Sequence, residues 1–159
     1  VLKGHIAVAD FKIKNGTSGS IIDTQARRYL KQIGLDYSHG TGPGVGNFLN
    51  VPEGPHANSK NNKIIHQEGM VVSNEPGYYE KNKFGIRIEN LIYVKKEKNR
   101  KYFENLTLAP IDKDLIDKNI VENIVADFSK DKKCEVLTLS TLEKNSVSKI
   151  KAKLITYAS

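Results

Sequence analysis

Two glutamates in the middle of the chain are the residues whose type could bind a metal ion. Glu75 lies directly before Pro76-Gly77, and Glu89 follows fourteen residues later in an alternating segment. A pair of carboxylates can bind divalent cations, and a bridging carboxylate can hold two of them about 3.5–4 Å apart. Judged by spacing alone, two surface glutamates are the more common case.

A histidine and an arginine are further candidates for a site. His39 opens a stretch in which glycines alternate from Gly40 to Gly46, a spacing that lets the backbone approach another element closely. Arg87 shares a strand face with Glu89, so it could orient that glutamate or bind a carboxylate of a ligand. The alternatives are a hydrogen-bonded loop histidine and a structural ion pair. The other three histidines are predicted to be structural or solvated: His5, His56 and His66.

The composition of the 159-residue chain fits a globular domain, with 38% hydrophobic and 27% charged residues. No apolar run approaches the roughly 20 residues that a membrane span needs, so no membrane partner is expected. The single cysteine, Cys134, cannot form an internal disulfide, which favours a reducing compartment. We therefore predict a cytoplasmic location.

The net charge of +7 is concentrated in one segment. Residues 95–101 carry five positive charges and one negative charge, which gives +4. A solvated loop of a hairpin is the simpler interpretation, and a patch that contacts nucleic acid or an acidic protein is the alternative. No aromatic residues interleave the charges, which argues against a stacking platform for single strands.

Two helices are predicted in the first third of the chain. The first runs from the start to about Phe11. The second is predicted to have Ser20 as its N-cap with Asp23 in an imperfect capping box, and Gly34 as its C-cap. Its apolar stripe is formed by five residues: Ile22, Ala26, Tyr29, Leu30 and Ile33. The first helix has neither an N-cap nor a preceding Met, which predicts a fragment of a longer polypeptide.

Strands are predicted after residue 63. Met70 to Asn74 leads into a type II turn at Pro76-Gly77, and Phe84 to Val94 gives the clearest alternation. Residues 101–108 are predicted to pair with that strand. The apolar spacing from Ile116 to Phe128 predicts a helix, and residues 129–157 are predicted to be helical as well.

Several short segments, in the same order along the chain, resemble the Xaa-Pro aminopeptidases, which are metal-dependent exopeptidases with the pita-bread fold. His39 to Pro55 resembles their motif H-G-T-G-H-G-V-G-x-F-L-N-V-H-E-G-P. Residues 74–79 and 84–90 resemble their x-E-P-G-Y-Y and F-G-I-R-I-E-N motifs. The resemblance covers residues 1–110, and it implies the C-terminal portion of a pita-bread domain with an α/β (α+β) fold. Residues 111–159 are predicted to be a largely helical extension.

The resemblance also implies roles for individual residues. Glu75 and Glu89 match two ligands of a dinuclear Mn²⁺ or Zn²⁺ centre, and Glu75 also matches the general base. His39 matches a histidine that lies beside the substrate. We predict that Arg87 is a catalytic residue together with His39 and Glu75. Two motif positions differ, because Pro43 replaces a metal-ligating histidine and Pro52 replaces one that assists the reaction. Proline offers neither a lone pair for a metal nor an imidazole. The family's two aspartate ligands have no counterpart in this sequence.

These differences predict a Xaa-Pro aminopeptidase homologue that binds a divalent metal weakly or not at all and is inactive alone. If it were active, its substrates would be peptides with proline at the second position. Two forms of association stay open, namely a homodimer and a complex with an N-terminal half of the same protein. The alternative function is a non-catalytic module that contacts an acidic protein or nucleic acid through residues 95–101.

Overall fold

The computed structural model describes residues 1–48, 50–108, 110, 111 and 116. Apart from Ile116, the helical predictions for residues 116–157 therefore lie outside the described part of the chain. The described residues contain two helices, α1 (Leu2–Ala9) and α2 (Gly19–Lys31). They are accompanied by eight strands in the described residues: β1 (Lys12–Ile13), β2 (Gly42–Val45), β3 (Ala57–Asn58), β4 (Val71–Asn74), β5 (Gly77–Glu80), β6 (Phe84–Arg87), β7 (Asn90–Glu97) and β8 (Arg100–Asn105).

The start of α2 differs from the predicted capping. Ser18, with extended backbone angles, is the N-cap residue, so the prediction of Ser20 is wrong. The first amide groups of the helix are bound by a neighbouring segment, since Gly19 N–H donates to Ile64 O and Ser20 N–H to Asn62 O. These bonds replace a side-chain cap. The predicted capping box is also wrong, because the side chain of Asp23 is buried and pairs with Arg27.

The end of α2 agrees with the prediction. Gly34 has a φ of +73°, its N–H donates to Lys31 O, and the N–H of Leu35 donates to Leu30 O. This pattern of two bonds is a Schellman motif with Gly34 at its left-handed position. Ile33 follows the last helical turn and is exposed, so it does not belong to the buried stripe.

Six strands form one antiparallel sheet in the order β1-β8-β7-β4-β2-β3. Both helices pack on its inner face. The buried core is built from side chains of α1, α2 and the sheet: Val8, Ile13, Ile22, Ala26, Val72, Ile92, Val94 and Phe103. Burying one of the valine, isoleucine or phenylalanine side chains contributes about 1.5–3 kcal/mol. No helix in the described residues is long and apolar enough to cross a membrane.

Strands β5 and β6 form a separate two-stranded ribbon, which corrects two predictions. The segment from Phe84 to Val94 is not one strand, because the chain leaves the ribbon after Arg87 and joins the large sheet at Asn90. The type II turn is absent, because Gly77 lacks a positive φ and begins β5, where it pairs with Arg87. Gly85 and Arg87 do share one face of the ribbon, as the alternation predicted.

The basic segment is part of the β7–β8 hairpin rather than a loop. Glu97 and Arg100 are paired across the hairpin, so only two residues, Lys98 and Asn99, form the connection. The predicted partnership of the two strands is confirmed.

Candidate functional site

A cleft of about 310 Å³ lies where the Gly-rich segment, β3, β4 and the ribbon meet. Three of the four candidate residues line it, namely His39, Glu75 and Arg87. The remaining lining residues are small or apolar: Gly40, Gly42, Pro43, Ala57 and Ser59. One wall is therefore charged, and the rest of the lining is largely apolar.

Glu75 lies at the charged wall, just after β4, with 12% of its side chain exposed. Its Oε1 accepts a hydrogen bond from Ser73 Oγ at 2.9 Å, and its Oε2 lies 3.2 Å from Arg87 Nη1. Its backbone N–H donates to Thr41 O at 2.8 Å. Both carboxylate oxygens thus have partners within the protein.

A chain of hydrogen bonds continues from Arg87 to His39. Arg87 Nε donates to Tyr79 Oη at 2.8 Å, and Tyr79 Oη lies 2.9 Å from His39 Nε2. His39 Nδ1 lies 2.7 Å from Gly40 O, which can only accept. The pattern assigns the proton to Nδ1, so that Nε2 accepts from the Tyr79 hydroxyl. The hydrogen bond to Tyr79 raises the pKa of Arg87, which stays a cation.

The loop that carries His39 is held by a buried network on α2. Arg27 forms an ion pair with Asp23 at 2.8 Å and one with Asp36 at 2.7 Å, and it stacks on the ring of Tyr37. Burial alone lowers the pKa of Arg27, but the hydrogen bonds to the two aspartates outweigh it and raise the pKa. Burial raises the pKa of Tyr37 to about 12. The guanidinium is therefore charged and the phenol protonated at neutral pH.

Glu89 is the fourth candidate residue, and it lies outside the cleft lining. Its side chain is exposed between the ribbon and β7. The two substituted motif positions differ in location: Pro43 lines the cleft beside Glu75, whereas Pro52 is exposed. The position that matches the family's ligating histidine is thus close to Glu75.

These residues do not fit a dinuclear metal centre. Within the part of the chain that the structure describes, no group of three or more His, Cys, Asp or Glu side chains could hold a metal ion. Glu75 is bound to Arg87 and Ser73, Glu89 does not line the cleft, and Pro43 contributes no donor atom. Two carboxylates alone provide too few ligands for two cations.

The other three histidines do not line the cleft. His5 Nδ1 lies 3.2 Å from Ile88 O, and His56 Nε2 lies 2.8 Å from Val71 O. His66 is fully buried with its ring edge-on to Phe103. Each of the three is part of the packing of the domain.

Several residues of the site were missed from the sequence, above all Asp23, Arg27, Thr41 and Tyr79. The spacing of Asp23 and Arg27 is the i, i+4 spacing of an ion pair on a helix, which was the available signal. Tyr79 joins the site through the register of the ribbon, in which Tyr79 and Arg87 share a face, and this register is a feature of the fold.

Residues 1–96 match the family described as metallopeptidase family M24. The chain belongs to this family. A probable Xaa-Pro aminopeptidase P of Laccaria bicolor is 50% identical over 132 residues, covering 76% of this chain and 21% of the relative. Aminopeptidase P2 of Arabidopsis thaliana is 44% identical over 146 residues, covering 86% and 21%. The M24 chain therefore spans about a fifth of the length of the curated relatives that it matches.

Solved structures of the M24 family have the same fold. The X-prolyl aminopeptidase of Caenorhabditis elegans, described as a cytosolic enzyme with a di-nuclear active site, is 39% identical with a TM-score of 0.70. The match covers 82% of this chain and 23% of that one. Prolidase of Pyrococcus furiosus is 27% identical with a TM-score of 0.61, covering 70% and 31%. The predicted resemblance and the α+β pita-bread fold are confirmed.

Proposed function

We propose that this M24 chain forms the peptide-binding side of a Xaa-Pro aminopeptidase P-type site and has no peptidase activity by itself. One observation carries the proposal. The cleft keeps His39, Glu75 and Arg87 together, while Pro43 takes the position of a metal-ligating histidine and Arg87 neutralises Glu75. The relatives named as Xaa-Pro aminopeptidases support the substrate class, which is a peptide with proline at the second position.

In this proposal the residues of the charged wall bind the peptide. Within the described residues, Arg87 uses Nε and Nη1 for Tyr79 and Glu75, which leaves Nη2 to donate to a carbonyl or carboxylate of the peptide. His39 lies beside it, with its ring held by Tyr79. The apolar wall of Pro43 and Ala57 suits a proline ring.

Glu75 and Glu89 are the two ligands that the chain would contribute to a Mn²⁺ or Zn²⁺ centre. The other ligands would have to come from another polypeptide segment, and an N-terminal half of the same protein is the proposed partner. A homodimer stays a prediction. A cytoplasmic location is proposed because the C. elegans enzyme is described as cytosolic.

The proposal is tested by incubating the purified chain with a proline-second peptide in the presence of Mn²⁺ or Zn²⁺. No release of the first residue above the metal-only blank is expected, because an incomplete centre cannot activate water. A matched peptide with alanine at the second position serves as the substrate control.

The Glu75→Gln variant separates the chain's own activity from that of a contaminating enzyme. Turnover that persists in this variant comes from a contaminant and supports the proposal. Proline-dependent turnover that the unmodified chain shows and Glu75→Gln loses would overturn it.

A further inference from the structure

Arg27 contacts the loop that carries His39 at three points. We define the His39 loop as residues 36–41. The guanidinium donates to Asp36 Oδ1 at 2.7 Å, to Tyr37 O at 2.6 Å and to His39 O at 2.5 Å. The planar guanidinium presents several donors in a fixed geometry, which a lysine ammonium cannot reproduce. The backbone of the loop is therefore held from one side by a single buried side chain.

Asp23 holds the other end of the same loop. Its Oδ2 accepts from Arg27 Nε, and its Oδ1 accepts from Thr41 Oγ1 at 2.6 Å. Since that hydroxyl proton is donated to Asp23, Thr41 Oγ1 accepts from the hydroxyl of Tyr37 at 2.5 Å. Thr41 is fully buried, and its carbonyl accepts the backbone N–H of Glu75. The Asp23–Arg27 pair thus holds the backbone on both sides of His39.

We propose that Arg27 is a positioning residue that fixes the orientation and the tautomer of His39. The imidazole can accept from Tyr79 only while the loop keeps Nε2 within 2.9 Å of the hydroxyl. Arg27 bonds directly to the carbonyl of His39, so loss of this bond frees the residue from the cleft wall. The inference rests on the proposed function only in assigning His39 to the peptide site.

The test is the ¹⁵N NMR spectrum of the histidine side chains in the full chain at a pH where His39 is neutral. The four histidines are few enough to assign, and the His39→Gln variant identifies the signals of His39. In the unmodified chain we expect well-separated Nδ1 and Nε2 signals of the Nδ1–H tautomer. In Arg27→Lys we expect this separation to be lost for His39 while the signals of His56 keep their positions.

Arg28→Lys is the matched control, because Arg28 is the neighbouring arginine on α2 and is exposed. It should leave all histidine signals unchanged. If Arg27→Lys does not fold, Asp36→Asn is the deciding variant. Asp36 is half-exposed, and its replacement by asparagine removes the charge from one bond to Arg27. The asparagine can still accept from Tyr37 N–H. It should shift the His39 signals in the same direction by a smaller amount.

Unchanged His39 signals in a folded Arg27→Lys would overturn the proposal, as would unchanged signals in Asp36→Asn when Arg27→Lys is unfolded. The spectrum does not depend on turnover or on metal. Failure of this inference is therefore distinguishable from failure of the proposed function.

Discussion

His66 is a buried titratable residue on the sheet side of the domain, away from the cleft. Neither ring nitrogen has a hydrogen-bond partner among the described residues, and the ring packs edge-on to Phe103. Burial, together with the nearby charge of His56, lowers the pKa of His66 from 6.5 to about 4. The folded domain therefore keeps this imidazole neutral at a pH where the unfolded chain protonates it.

We expect stability to fall as the pH decreases from about 6.5 to 4. Between these values the unfolded state binds a proton at His66 that the folded state does not, so the free energy of unfolding declines with falling pH. Once the pH is below both pKa values, His66 has lowered the free energy of unfolding by about 3 kcal/mol. Urea unfolding of the chain and of His66→Gln across this range measures it.

The variant lacks the titrating group, so its stability should change less over the same window even if its stability at neutral pH is lower. Parallel curves for the two proteins would show that His66 does not carry this dependence.

The sequence indicated four candidate residues, and three of them, His39, Glu75 and Arg87, lie in one cleft. The sequence placed Glu89 and Arg87 on one face of a single strand, but β6 ends at Arg87 and β7 begins at Asn90, so the two residues do not belong to one strand. It missed Arg27 because an i, i+4 ion pair has the same spacing on an exposed face as in a buried network. Only the fold shows that this pair is buried.

At the scale of elements, the approach of β2 to β4 depends on a glycine. A Cβ built on Gly42 would lie 1.6 Å from Ser73 O, which is a backbone atom, so only a movement of the strands could relieve the clash. The two strands form adjacent parts of the cleft, since β2 carries Pro43 and β4 leads directly into Glu75.

Gly42→Ala is expected to destabilise the domain by about 1–3 kcal/mol, the usual range for overpacking. The reason is that the added methyl group must separate β2 from β4. Gly54→Ala is the control, because no atom lies within 4 Å of a Cβ at that position and its stability should change by less than about 0.5 kcal/mol. Thermal unfolding compares the two, and equal melting temperatures would refute the close approach.

The β7–β8 hairpin gives no support to the alternative function as a binding module. Lys95 lies 3.2 Å from Glu97 and 3.0 Å from Glu104, so part of the predicted basic charge is neutralised within the sheet. Lys96 and Lys101 are directly opposite each other across the hairpin, so their charges repel. The ion pairs of Lys95 therefore favour a solvated hairpin end over a binding patch for this segment.

Apolar spacing and turn residues predicted the two helices, the C-cap at Gly34 and the hairpin, because these features depend on local sequence. The change of sheet after Arg87 was not predictable, because it depends on contacts distant in sequence. Ile88 N–H bonds to Pro76 O, and Asn90 pairs with Asn74 of β4. Both sides of the break continue the same alternating pattern.

At the scale of the whole molecule, the chain has the fold of an M24 enzyme and about a fifth of the length of its curated relatives. The described residues provide a cleft and two candidate carboxylate ligands, but they do not form a metal centre by themselves. The ability to hold divalent cations therefore distinguishes a chain that is a peptidase by itself from a chain that supplies only part of a peptidase active site.

The most direct measurement is the number of metal ions retained by the purified chain after equilibrium dialysis against Mn²⁺ or Zn²⁺ and removal of free metal. Less than one ion per chain is predicted, with no change in Glu75→Gln, because Glu75 is already paired with Arg87. Two retained ions per chain that are lost in Glu75→Gln would contradict the claim that this chain lacks a complete metal centre.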